Sequence, residues 1–215
     1  MQVTIREPGS TLTHLAAMLM TVGAGIPLLI KASSVGCLYI ISMLIFITSM
    51  ILLYGASATY HAVNLPDKLI QRFRKFDHAM IYVLIAGSYT PVCLLILRSR
   101  IGYALLAAVW IFAISGIILN VCWISCPKWL SSAIYIVMGW LCLFAFKPIL
   151  HALTPAAFQW LLTGGLIYTV GGVIYALKLP LFNARHKYFG SHEIFHLFVM
   201  GGSFCHFIFM YQYVL

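Results

Sequence analysis

Seven apolar stretches divide the 215-residue sequence, and each is close to the length that crosses a bilayer. An α-helix needs about 20 apolar residues to span about 30 Å of hydrocarbon. Hydrophobic residues make up 63% of the chain and charged residues 8%, which is more apolar surface than a soluble fold of this size can bury. The sequence therefore predicts an all-α bundle of seven transmembrane helices, a single domain over residues 1–215. The predicted spans are residues 11–30, 36–60, 78–97, 101–123, 130–149, 157–177 and 194–214.

The distribution of lysine and arginine predicts how this bundle is oriented. Cytoplasmic loops of membrane proteins carry an excess of these residues. One side collects nine of them and the other side four, so we expect a cytoplasmic N-terminus and an extracytoplasmic C-terminus in the inner (plasma) membrane. The net charge of +9 is explained by loop residues that fix the orientation, so we expect no nucleic-acid partner. The sequence gives no indication of the oligomeric state. The nine are Arg6, Lys68, Arg72, Arg74, Lys75, Lys128, Lys178, Arg185 and Lys187; the four are Lys31, Arg98, Arg100 and Lys147.

The longest and most basic of the predicted loops covers residues 62–76. The apolar residues interleaved there with the charged ones are Leu65, Leu69, Phe73 and Phe76. This pattern is compatible with an interfacial helix that lies against anionic lipid headgroups. It is equally compatible with a plain basic loop, and the sequence does not separate the two interpretations.

Polar residues from three distant segments are expected at one depth of the membrane. His61 ends the second span, with Ser57 one turn earlier, and Asp77 begins the third. His192 and His196 stand at the head of the seventh span, one helical turn or about 6 Å apart on one face. Under the predicted orientation all five lie near the cytoplasmic surface. Ionisable groups are costly inside a membrane, and they therefore mark functional sites.

These residue types together are typical of a catalytic zinc site. Three imidazoles leave the fourth position of a tetrahedral zinc open to water or substrate. Zinc lowers the pKa of a bound water to about 7, a neighbouring carboxylate can take its proton, and a hydroxyl can orient it. We therefore predict a Zn²⁺ site in which His61, His192 and His196 bind the metal and Asp77 and Ser57 are catalytic.

The pattern Ser57-x-x-x-His61, Asp77 and His192-x-x-x-His196 resembles the progestin and adipoQ receptor family, and most closely its bacterial hemolysin III branch. The resemblance implies seven helices with a cytoplasmic N-terminus and zinc on His61, His192 and His196 near the cytoplasmic leaflet. It also implies that Asp77 and Ser57 hold the metal-bound water. Ceramidase-like hydrolysis of lipid amides has been proposed for relatives, and bacterial members are connected with hemolysis and membrane-lipid homeostasis. Further matching phrases are Tyr60-His61, Lys75-Phe76-Asp77-His78, Ala86-Gly87-Ser88-Tyr89-Thr90-Pro91, Met138-Gly139-Trp140 and Gly201-Gly202-Ser203.

Three functions remain open at this point. The first is a zinc-dependent hydrolase that acts on a lipid amide or ester, with membrane lipids as its partners. The second is a membrane-lipid sensor with structural zinc, and the third is a pore-forming hemolysin, although most spans are apolar all round and lack the polar stripe that a pore needs. The residues 192–196 also read H-E-x-x-H, in which Glu193 would be the general base.

Three further histidines lie in the apolar runs. We expect His14, His78 and His206 to be buried histidines with satisfied hydrogen bonds, and His14 is in addition a candidate partner of a metal-binding histidine.

Overall fold

The computed structural model describes residues 5–122, 128–177 and 190–215. Seven helical segments of this part are long and apolar enough to cross a membrane, which confirms the predicted fold class. Each predicted span overlaps one of these segments. They cover Pro8–Val35, Cys37–Ala62, Asp67–Leu97, Arg100–Cys122, Trp129–Ala152, Pro155–Leu177 and Ser191–Val214.

The spans are helical because an apolar run in lipid must bond its backbone N–H and C=O groups within itself. The third and seventh spans each end in a π-helical turn, formed by Val92–Leu97 and by Met210–Val214. The α-helices of the described residues are α1 Pro8–Val35, α2 Cys37–Ala62, α3 Asp67–Pro91, α4 Arg100–Cys122, α5 Lys128–Gly139, α6 Phe146–Ala152, α7 Pro155–Leu177 and α8 Ser191–Phe209.

The packing of the helices brings the two ends of the chain together. Helix α2 packs between α1 and α3, and α3 also packs on α4. Helix α7 packs on α8 and on α5, and α1 contacts α8. The contact between α1 and α8 closes the bundle, so that the first and last spans share an interface although about 180 positions separate them in the sequence.

The fifth span differs from the continuous helix that its apolar run predicts. Helix α5 ends at Gly139, a 3₁₀ segment follows over Leu141–Ala145, and α6 begins at Phe146. The Tyr89 hydroxyl of α3 bridges the break, because it donates to the Gly139 carbonyl (2.6 Å) and accepts from the Cys142 N–H (3.0 Å). Backbone groups that the broken helix leaves unpaired in an apolar environment are thereby bonded.

The basic segment 62–76 is largely a continuation of the third span. Helix α3 begins at Asp67, so the interpretation of a plain loop is wrong for residues 67–76. Leu69 and Phe76 are exposed on this extension. Three of the residues behind the predicted orientation, Lys178, Arg185 and Lys187, lie outside the described residues, and the orientation stays a prediction.

Candidate metal centre

The structure brings together the three histidines that the sequence singled out. One ring nitrogen from each of His61, His192 and His196 lies within 4.8 Å of the other two. The Nε2 atoms of His61 and His192 are 3.1 Å apart. His61 comes from the end of α2, and the other two come from the first turns of α8. Because three nitrogen donors converge on one small volume, this group can hold a metal ion.

The outer nitrogens of two of these rings are held by residues near the start of α1. The Nδ1 of His61 lies 2.5 Å from the Glu7 carboxylate, which accepts a hydrogen bond from the Nδ1–H. The Nδ1 of His196 lies 3.1 Å from the Thr13 hydroxyl. That hydroxyl donates its own hydrogen to the Ser10 carbonyl (2.9 Å), so it accepts from Nδ1. Both rings are thereby left with Nε2 as the atom for a metal, an arrangement typical of zinc-binding histidines.

Glu7 stands at the entrance to α1 and is tied to His61 twice. Its backbone N–H donates to the His61 carbonyl (3.0 Å), in addition to the side-chain contact. The hydrogen bond with His61 lowers the pKa of Glu7 from its usual 4.5, partial burial opposes this effect, and the positive charge of Arg6 adds to it. Sequence reasoning missed Glu7, although it is one of only four acidic residues in the chain and therefore carried a usable signal.

Glu193 joins α1 to α8. One of its carboxylate oxygens accepts from the Ser10 hydroxyl (2.5 Å), and the other accepts from the Gly190 N–H (2.8 Å), which caps α8. Both oxygens are thus engaged, one in joining α1 to α8 and the other in capping α8. This arrangement does not favour Glu193 as the general base of an H-E-x-x-H site.

Asp77 and Ser57 lie beside the histidine cluster and are both buried. Ser57 is a hydrogen-bonding neighbour of the Asp77 carboxyl, and the His61 ring interacts with that carboxyl electrostatically. Neither residue belongs to the group of three nitrogen donors. The carboxyl and the hydroxyl therefore lie beside the candidate metal position and are not among the three candidate ligand atoms.

A cavity of about 210 Å³ begins at the cluster and extends between the helices. Asp77, Ser57, His192 and His196 line one end of it, whereas most of its remaining wall is aliphatic and aromatic. The lining also includes three residues that are exposed on the outside of the bundle, two of them at the break in the fifth span. These are Leu143, Phe146 and Leu162. The cavity thus joins a polar end to an apolar wall that reaches the outside of the bundle.

The remaining buried histidines differ from the satisfied groups that the sequence predicts. His14 is stacked on His196 with ring centroids 3.6 Å apart, and neither of its nitrogens has a hydrogen-bond partner in the described part of the chain. The prediction of a satisfied ring is therefore wrong for His14, and for one nitrogen of His206. His78 is only half buried, and its Nε2 lies 3.5 Å from the Tyr175 hydroxyl.

The chain is similar to one family model and to several known proteins. A family model described as "Haemolysin-III related" matches residues 2–207. "Hemolysin-3" of Bacillus cereus is 38% identical over 211 residues, which cover 97% of this chain and 92% of that protein. "Hemolysin-3 homolog" of Bacillus subtilis (strain 168) is 38% identical over 202 residues, 93% of this chain and 91% of that protein. "Adiponectin receptor protein" of Drosophila melanogaster is 26% identical over 225 residues, 94% of this chain and 49% of that protein.

Proposed function

The chain belongs to the haemolysin-III-related family of multi-pass membrane proteins, and we propose that it is a zinc-dependent hydrolase that cleaves a lipid amide or ester. The similarity to an adiponectin receptor is consistent with the wider progestin and adipoQ receptor family. One observation carries the proposal. Two members of a cluster of three imidazoles, His192 and His196, line an apolar cavity together with Asp77 and Ser57.

The donor set suits zinc better than magnesium or calcium. Those two ions prefer oxygen ligands, whereas zinc is commonly bound by imidazole nitrogen. His61, His192 and His196 would hold the ion, and Glu7 and Thr13 would orient two of the rings. When bound, zinc supplies a Lewis acid that activates water and polarises a carbonyl group.

The residues beside the cluster supply the proton transfers that hydrolysis requires. We assign to Asp77 the removal of a proton from the attacking water and its return to the leaving nitrogen or oxygen. The Ser57 hydroxyl, whose hydrogen is donated to the Asp77 carboxylate, accepts a hydrogen bond from the attacking water and holds it beside that carboxylate. The hydrolysis is balanced, because the oxygen of water bonds to the carbonyl carbon as the bond from that carbon to the leaving nitrogen or oxygen breaks.

The shape of the cavity indicates the kind of substrate. An acyl chain would lie along the aliphatic and aromatic wall, and its carbonyl would reach the polar end. Leu143, Phe146 and Leu162 line the cavity and are exposed toward lipid, which is where a chain would enter from the bilayer. A pore is less favoured, since water-filled channels are lined by polar groups and this wall is mostly apolar.

A second candidate function is a sensor of membrane lipids in which zinc is structural. The similarity to a protein named as a receptor favours this alternative. A sensor would keep its function when Asp77 is neutralised, provided that the three histidines still bind the metal. A hydrolase would not.

The proposal is tested with Asp77→Asn, which keeps the size of the side chain and removes its basicity. Hydrolysis of a fluorescent ceramide and of a fluorescent acyl ester is measured with the detergent-purified protein, and zinc content is measured in parallel. Asp67→Asn is the matched control, because Asp67 is an exposed carboxyl on the same helix. We expect Asp77→Asn to retain zinc and to lose turnover, whereas Asp67→Asn retains both. Full turnover by Asp77→Asn would refute the assigned role.

A further inference from the structure

Two imidazoles on the cavity wall have ring nitrogens without a hydrogen-bond partner in the described residues. They are His14, next to the histidine cluster, and His206, further along α8. His206 is ten residues beyond His196 on the same helix, which corresponds to about 15 Å. Unpaired polar groups are rare in buried positions because each loses its hydrogen bonds to water without replacement. The cavity wall therefore has a second polar position, at His206, well away from the candidate metal centre.

The hydrogen bond made by one ring nitrogen of His206 determines whether the other nitrogen is a donor or an acceptor. Its Nε2 lies 3.4 Å from the Leu161 carbonyl oxygen. A carbonyl oxygen can only accept, so Nε2 carries the proton, and Nδ1 of the neutral ring is an acceptor. In the described residues Nδ1 has no partner. A ligand that satisfies this nitrogen must bring a hydrogen-bond donor.

The ring of His206 is held in one place by α7. Gly164 leaves room for it, because a Cβ at that position would lie 2.7 Å from Nε2. The Tyr168 ring packs edge-on against the imidazole with centroids 5.3 Å apart. The Tyr168 hydroxyl is itself engaged with Ser203 (2.7 Å), and Ser203 also accepts from Tyr54 (2.6 Å). The neighbouring hydroxyls are thus already bonded to one another.

We propose that His206 forms a second binding site in the cavity, which accepts a hydrogen bond from a hydroxyl group in the middle of a lipid chain. This inference rests on the proposed function, since it takes the cavity to hold the acyl chain of the substrate. An uncharged hydroxyl suits the position better than an amine, because a charged group is costly among apolar residues. The site would select lipids with a mid-chain hydroxyl over the corresponding chains without one.

The test measures the dissociation constants of stearate and of stearate with a hydroxyl at mid-chain, by displacement of a fluorescent fatty acid from the purified full-length protein. One hydrogen bond corresponds to about fivefold to tenfold tighter binding of the hydroxylated lipid. We expect this preference in the wild-type protein and its loss in His206→Phe, which keeps an aromatic ring and removes the acceptor. Stearate with a hydroxyl at its methyl end should bind like stearate.

Two glycine variants provide a second test that leaves the histidine in place. Gly164→Ala should displace the His206 ring and abolish the preference. Gly201→Ala on α8 is the control, since Gly201 lies outside the cavity lining and a Cβ there would meet only the Ile167 side chain, at an ordinary 3.5 Å, and it should retain the preference. Binding of stearate itself shows that each variant is folded.

Two results would overturn the inference in distinguishable ways. Equal binding of stearate and mid-chain hydroxystearate by the wild-type protein refutes the second site and leaves the proposed function standing. Failure of the wild-type protein to bind either lipid refutes the cavity as an acyl-chain site, and the inference falls with the proposed function.

Discussion

Replacement of Thr13 by valine should weaken zinc binding although Thr13 does not touch the metal position. Its hydroxyl accepts the Nδ1–H of His196 at 3.1 Å. Valine has the same shape and cannot accept, so the ring loses the bond that fixes its orientation. Loss of such an outer partner typically costs 10–100-fold in metal affinity. The bond is neutral and of ordinary length, so we expect the lower end, about tenfold or about 1.4 kcal/mol.

The assay is a competition for zinc between the purified protein and a chelator of known affinity. The control is Thr21→Val on the same helix, where the buried threonine hydroxyl donates to the Ala17 carbonyl and, among the described residues, bonds nothing outside its own helix. This control removes the same atom from α1 without touching a histidine. Equal zinc affinity of Thr13→Val and Thr21→Val would refute the argument that α1 orients the metal ligands.

Three further predictions concern stability in detergent. Gly87→Ala should lower the free energy of unfolding by about 1–3 kcal/mol, because the new Cβ would lie 2.5 Å from the Ser49 Cβ, whereas Gly23→Ala, which meets nothing within 4 Å, should not lower it. Tyr89→Phe should lower the free energy of unfolding by about 1–3 kcal/mol, because two backbone groups at the break of the fifth span lose their partner. Tyr103→Phe, at an exposed tyrosine, should lower it much less. Chelation of zinc should lower the unfolding temperature, since an ion that binds only the folded state at 100 times its Kd contributes about 2.7 kcal/mol. Melting curves check all three. Equal stability of the two glycine variants, equal stability of the two tyrosine variants, or an unchanged unfolding temperature after chelation would contradict the respective prediction.

The spans could be predicted from the sequence because the length and hydropathy of an apolar run are enough to specify a transmembrane helix. The break after Gly139 could not, since residues 133–146 on both sides of it carry no charged residue and no proline. It depends on a hydroxyl from another helix, Tyr89, that bonds the interrupted backbone. A local sequence pattern carries no information about such a partner.

The site was accessible to sequence reasoning in part. The spacing of His192 and His196 and the scarcity of acidic residues pointed to the end of the bundle where His61 and Asp77 lie. The contacts of Ser10 and Thr13 were missed, because each joins residues 183 positions apart in the sequence. They arise only when the first and last spans pack against each other.

The measurement that tests the central claim most directly is the zinc content of the purified protein by elemental mass spectrometry. Wild type is compared with His192→Ala and with His151→Ala, which removes an exposed histidine away from the cluster. The account predicts about one zinc per chain in the wild type and in His151→Ala, and its loss in His192→Ala. Absence of zinc from the wild-type protein, or its full retention in His192→Ala, would contradict the histidine cluster as a zinc site.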